Sequence, residues 1–242
     1  LAWNCKTNDI PKLPNNFAMV YKRQVAHERV LSRNPLHFKA FNDNFKELLL
    51  ERYVRPACEL DLNSDWSNIS YIPMSLVKNA NKDPPKFRNV FDASARFHGV
   101  SLNDHLLKGP DLLVNLIKPL LRMRENEIAF TADIKSMYMR VKINMRDQQV
   151  QRVLWRPSPD EEFRVFVFSS MLFGPKSSPF TSQFVKNATA DKWHDKYPYA
   201  AESIKNYMYM DDLLTSESSL DKAISVAKQC IEIFDSINWK LI

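Results

Sequence analysis

Two adjacent carboxylates, Asp211 and Asp212, stand in the apolar run Tyr207-Met208-Tyr209-Met210-Asp211-Asp212-Leu213-Leu214. Far upstream a third acid, Asp133, closes Ile128-Ala129-Phe130-Thr131-Ala132-Asp133-Ile134. Like charges crowded on an apolar hairpin are costly, and a bound cation is the usual way to offset the repulsion. Hard cations such as Mg2+ (or Mn2+) take oxygen ligands, keep several waters and fill their remaining positions with phosphate oxygens. Two strand-borne carboxylate clusters are what a two-metal phosphoryl- or nucleotidyl-transfer site requires: one ion lowers the pKa of the attacking hydroxyl, the other holds the triphosphate and its leaving group. An ordinary acidic turn explains the Asp-Asp dipeptide taken alone, since Asp is a favoured turn residue. The surrounding residues and Asp133 favour the cation site.

These acids need particular elements beneath them. Asn206 to Met210 predicts a strand, a tight acidic turn follows, and Leu213-Leu214 begins the return strand. Asp133 sits at the predicted end of a further strand; if the strands pair, three carboxylates converge. Helical spacing of Phe38, Phe41, Phe45, Leu48 and Leu49 predicts a helix over about 36–53. A second helix is expected from Pro110-Asp111, with Leu112, Leu113, Leu116, Ile117, Leu120 and Leu121 on one face and Pro119 ending or kinking it. Residues 61–70 are expected to form a loop, Asp83-Pro84-Pro85 a turn, and 150–155 with 163–168 a hairpin. Ser177-Ser178-Pro179 starts a long helix carrying Phe180, Phe184, Val185 and Ala188, and Ser218 or Ser219 caps another with Ile224, Ala227, Ile231 and Phe234. Gly174, one of three glycines, marks a positive φ or a close backbone approach.

With 242 residues and 45% hydrophobic content the chain can bury a substantial core, which excludes wholesale disorder. Its net charge of +6 favours a phosphate backbone as partner, though mildly. Cys5, Cys58 and Cys230 have no metal-ligand spacing and are expected as free thiols in a reducing compartment. No apolar run is long enough to span a membrane, and the first residues do not resemble a signal peptide.

Tyr209-Met210-Asp211-Asp212 resembles the signature of reverse transcriptases, and other segments follow in the same order. Lys86-Phe87-Arg88-Asn89-Val90-Phe91-Asp92-Ala93-Ser94-Ala95, Gly99-Val100-Ser101-Leu102-Asn103-Asp104 and Leu107-Lys108-Gly109-Pro110-Asp111-Leu112-Leu113 are similar to the fingers segment of BEL/Pao-type retrotransposon enzymes. Thr131-Ala132-Asp133-Ile134 resembles the first catalytic motif, and Phe173-Gly174-Pro175-Lys176-Ser177-Ser178-Pro179 the motif before the long palm helix. The resemblance is strong from about Tyr71 onward and weaker before it.

That resemblance implies an α+β fold: right-hand polymerase fingers and palm, with an antiparallel palm sheet covered by helices. It puts fingers at 1–101 and 147–170, and palm at 102–146 and 171–242. It implies an RNA-directed DNA polymerase that joins deoxynucleoside triphosphates to a primer on an RNA or DNA template, with Mg2+ or Mn2+ as cofactor. Asp133, Asp211 and Asp212 fall on the catalytic metal carboxylates, with Ile134 beside them as a further ligand position. Tyr138 falls on the aromatic gate that excludes a 2′-hydroxyl, which speaks against an RNA-dependent RNA polymerase; a core aromatic on a turn is the plainer alternative. Arg88 falls on the triphosphate-binding arginine, whose planar fork suits phosphate oxygens. Lys86 beside it is either a helper or a solvated lysine.

Phe173 and Met210 are expected against the nucleotide, and Gly174, Lys176 and Tyr209 against template or primer. Phe173 replaces the glutamine of retroviral enzymes, a departure associated with BEL/Pao elements. The thumb, ribonuclease H and integrase domains of a Pol polyprotein are expected as partners beyond this chain, in the cytoplasm or within virus-like particles. The competing expectation is a catalytically silent or domesticated fragment that binds nucleic acid or a partner.

Overall fold

The computed structural model describes residues 13–64, 66, 68–79, 81 and 83–242. Cys5 therefore lies outside the described residues. Helices α1 (Phe17–Leu31) and α2 (Pro35–Leu50) come first, then strand β1 (Val54–Pro56) and the short helix α3 (Glu59–Asn63). Strands β2 (Met74–Asn79) and β3 (Lys86–Phe91) follow, with the single turn α4 (Leu102–His105). Helix α5 (Ile117–Arg122) leads to β4 (Ile128–Asp133), a 3-10 turn at Met137–Arg140 and α6 (Met145–Gln148). The remainder comprises β5 (Arg152–Trp155), β6 (Arg164–Phe168), α7 (Ser178–Trp193), α8 (Pro198–Tyr207), β7 (Met208–Tyr209), β8 (Asp212–Glu217) and α9 (Leu220–Asp235).

The chain divides into two compact units, one holding residues up to Lys108 together with Lys142–Ser178, the other Gly109–Val141 with Pro179–Ile242. Residues 102–108, 142–146 and 171–178, expected with the palm, thus pack with the first unit.

In the first unit β1, β6 and β5 form an antiparallel sheet in that order, and β2 and β3 form a separate hairpin. Helix α2 starts because Asn34 accepts the backbone N–H groups of Leu36 and His37, with Pro35 pre-set at the first position. Its buried face, Phe41 and Phe45, packs on the sheet, where Phe45 stacks on Trp155 at 4.6 Å. The helix stops at Leu50, short of the expected Tyr53, because Arg52 takes a positive φ of 57°. The Arg52 and Tyr53 N–H groups then cap the Leu49 and Leu48 carbonyls in a Schellman closure. Part of the expected 61–70 loop is also helical, since α3 runs to Asn63; residues 65 and 67 lie outside the described residues. Asp61 anchors that helix. Its carboxylate is almost fully buried and accepts from Arg55, the Cys58 N–H and Gln149, while Arg152 donates to Gln149 and to the Asp61 carbonyl.

In the second unit the antiparallel sheet runs β4-β8-β7. Helix α9 buries Ala223, Val226, Cys230, Ile233 and Phe234, and its cap is Ser219, whose side chain accepts the Lys222 N–H. The sequence predicts strand over the last residues of helix α8. The helix continues to Tyr207, leaving only Met208–Tyr209 extended, because Ala200, Ala201 and Ile204 form a buried stripe at helical spacing. The helix expected from Pro110 is confined to Ile117–Arg122. Asp111 and Asn115 accept the N–H groups two residues ahead, an Asx turn that competes with helix formation and leaves 110–115 irregular. Among the described residues no helix is long and apolar enough to cross a membrane.

Candidate nucleotidyl-transfer site

The acids meet because β4 and β8 pair in a register that sets Asp133 opposite Asp212. Strands β7 and β8 pair with Tyr209 opposite Asp212, so Met210 and Asp211 are the two residues of the hairpin turn. Met210 has a positive φ of 53°, a conformation that the turn demands and that suits glycine. Holding a side chain there costs on the order of 1–3 kcal/mol, and such strain gathers at functional sites. The Ile134 N–H donates to the Asp211 carbonyl at 3.0 Å, tying the end of β4 to the turn. On its other edge β4 pairs with the last residues: Asp133 and Ile242 exchange both backbone hydrogen bonds, at 2.8 and 2.9 Å. Asp133 is thus fixed from both sides.

Electrostatically the acids work against one another. Burial raises the Asp133 carboxyl above its ordinary value, and the charges of Asp211 and Asp212 and a hydrogen bond shared with Asp211 raise it further. Asp212 is raised by burial and by Asp211. Tyr138, half-buried after the 3-10 turn begins, is also raised, by burial first and then by the Asp211 charge, which places its hydroxyl within that acid's field. Among the described residues no group of three His, Cys, Asp or Glu side chains already stands arranged to hold a metal ion. The donor chemistry nevertheless fits one: three hard oxygen donors whose mutual repulsion a divalent cation would relieve. Ile134 is fully buried, so only its backbone could contribute.

Asp133, Ile134, Tyr138, Tyr209, Met210, Asp211 and Asp212 all belong to the second unit, and the structure brings them together. Lys86, Arg88, Phe173, Gly174 and Lys176 belong to the first. Lys86 and Arg88 alternate on the exposed face of β3, with no ion-pair partner among the described residues. Gly174 has a φ of 106°, and a Cβ there would lie 2.4 Å from the Phe91 carbonyl oxygen, so both conditions for glycine are met by the protein's own backbone. Asn103 fixes this turn by accepting the Lys176 N–H and donating to the Gly174 carbonyl, leaving Phe173 exposed.

Sequence reasoning missed Gln183 and Lys186 on α7, whose side chains donate to the Met210 and Met208 carbonyls. Their signal was polar residues three apart within a helix read for its aromatic stripe. It also missed the 240–242 segment beside Asp133.

An antiparallel sheet presenting a two-acid hairpin beside a third acid on the neighbouring strand, with a mixed helix–strand unit alongside it in sequence, is the fingers-and-palm fold of a polymerase. The profile of the reverse transcriptase (RNA-dependent DNA polymerase) family matches residues 29–241, and the chain belongs to that family. A solved structure of the foamy viral protease-reverse transcriptase in complex with double-stranded DNA has a similar fold, with a TM-score of 0.57 and 15% sequence identity. The match covers 80% of this chain and 28% of that one, so the chain spans under a third of the viral protein's length. No curated protein matches the chain.

Proposed function

We propose that this chain is the catalytic core of an RNA-directed DNA polymerase that adds deoxynucleotides to a primer with Mg2+ or Mn2+. The observation carrying this reading is the register that sets Asp133 opposite Asp212 one residue from Asp211, with Asp133 and Asp212 both raised in pKa. Asp133 and Asp211 would be the principal metal ligands, with Asp212 and the Ile134 backbone in support. A pair of ions supplies activation of the primer hydroxyl and stabilisation of the leaving pyrophosphate. The protein's part is to hold its carboxylates converged, and to orient the nucleotide.

Tyr138, beside Asp211, would pack under the sugar and exclude a 2′-hydroxyl. Arg88 and Lys86 would reach the triphosphate; Phe173 and Met210 would contact the nucleotide, and Gly174, Lys176 and Tyr209 the template-primer. Template and primer as partners are supported by the family and by the duplex held by the foamy viral enzyme. The order and wording of the motifs favour a BEL/Pao-type element. In that setting fingers and palm act with a thumb, ribonuclease H and integrase of a longer polyprotein, inside virus-like particles in the cytoplasm.

Primer extension on an RNA template with Mg2+ tests this, comparing the chain with Asp211→Asn. Loss of one principal ligand is expected to lower extension by about a thousandfold or more, on the scale of several kcal/mol of transition-state charge stabilisation. Equal extension by the two proteins would remove the site assignment. Silence in both, with template-primer still bound, would make the chain a nucleic-acid-binding fragment instead.

A further inference from the structure

Strand β7 is the outer strand of its sheet, and an outer strand leaves backbone groups without ladder partners. Helix α7 reaches one of them, and the first residue of the turn that follows. Gln183 Nε2 donates to the Met210 carbonyl at 3.0 Å, and Lys186 Nζ to the Met208 carbonyl at 3.4 Å. The geometry is consistent at both ends: residues three apart share a helix face, and the two carbonyls, two residues apart in extended chain and turn, lie on the edge away from β8.

An amide suits this task, whereas a lysine is an expensive choice. Lys186 is fully buried, among the largest such side chains, and the Met208 carbonyl is its hydrogen-bond acceptor. Burial lowers its pKa to about 8, and among the described residues no carboxylate pairs with it. A buried ammonium without a counter-charge costs stability that an apolar side chain of similar length would not. A residue kept at such a cost, aimed at the strand leading into the acidic turn, is explained by what it holds.

We propose that Lys186 is a positioning residue for nucleotidyl transfer: through the Met208 carbonyl it fixes the strand that delivers Asp211. This rests on the polymerase reading above. It acts three residues from the acid, through backbone, and touches no substrate.

The test is Lys186→Met, followed by thermal melting, steady-state kinetics for the incoming nucleotide, and hydrogen exchange of the 208–212 amides. A merely structural lysine would shift the melting point alone. A positioning lysine gives a melting point equal to or above wild type, kcat lower by about tenfold, and KM for the nucleotide within about twofold, because an interaction felt only in the transition state is weakened. Exchange at 208–212 would be faster by about tenfold, since the segment opens more often.

Unchanged exchange, or unchanged turnover in an active enzyme, overturns the proposal. If wild type fails to extend a primer yet the variant still loosens 208–212, the polymerase reading fails and the positioning of the hairpin stands. Should Lys186→Met not fold, Lys186→Gln keeps a donor on a shorter arm, and the same exchange and kcat criteria apply.

Discussion

Asp61 is a buried carboxylate in one unit and Asp133 a partly buried one in the other, and the protein treats them in opposite ways. Around Asp61 burial pushes the carboxyl up, but hydrogen bonds from Arg55, the Cys58 N–H and Gln149 outweigh it and hold the group well below the usual carboxylate range. Around Asp133 burial pushes the same way, and the neighbours Asp211 and Asp212 add to it. The first cluster has every lone pair engaged from within the chain. The second sets like charges against one another. A saturated carboxylate is a structural tie; a cluster of like charges on a fixed hairpin is stored capacity for an external partner.

The sharpest way to break this contrast is substitution. Asp61→Asn would leave the Arg55 guanidinium without its charge partner and weaken the α3 cap. It is expected to cost about 3 kcal/mol, at the low end for a broken buried pair because Arg55 is partly exposed. Protease resistance of peptides from the first unit reports it; an unchanged pattern would demote Asp61 to an ordinary cap.

Asp211→Asn should do the reverse. Removing one repelling charge is expected to raise stability by about 1 kcal/mol, or about 2–4 °C in melting temperature for a chain of this size. A lower melting temperature would mean that the acids are mutually supported and not frustrated.

Acid titration separates the two clusters by sign. The folded pKa of Asp61 is depressed, so its stabilisation is fully present above the ordinary carboxylate value and disappears as the pH falls below it. The folded pKa values of Asp133 and Asp212 are raised, so the folded state holds protons that the unfolded state has released. Their contribution therefore favours folding at and below the ordinary carboxylate value, and that stability is lost as pH rises through the raised values. In Asp211→Asn the slope of stability against pH just above pH 4 should become more positive, by a few tenths of a kcal/mol per pH unit. A slope identical to wild type would indicate that the three acids do not interact.

Much of this was legible in the sequence where a pattern was local. Asp133 and the hairpin acids carried their own signature, and Ser178-Pro179 and Ser219 marked helix starts that the structure keeps. The legibility failed where distant contacts decide. The last residues of α8 looked like strand, since Tyr207, Met208 and Tyr209 suit one, and only packing of Ala201 and Ile204 shows the helix continuing. The leucines after Pro110 mimic an amphipathic helix, yet Leu116, Ile117, Leu120 and Leu121 are exposed and the preceding Asx turns prevail. Lys186 carried only a weak signal, its spacing from Gln183, because nothing local distinguishes a buried lysine from a solvated one.

Thermal melting in the presence and absence of 10 mM Mg2+ asks whether the carboxylate cluster awaits a cation. For a dissociation constant of about 1 mM, mass action gives about 1.4 kcal/mol, or roughly 3–5 °C. The predicted result is that rise in wild type and none in Asp211→Asn. An equal rise in both proteins, or no rise in wild type, would contradict the assignment of Asp133, Asp211 and Asp212 as a cation site.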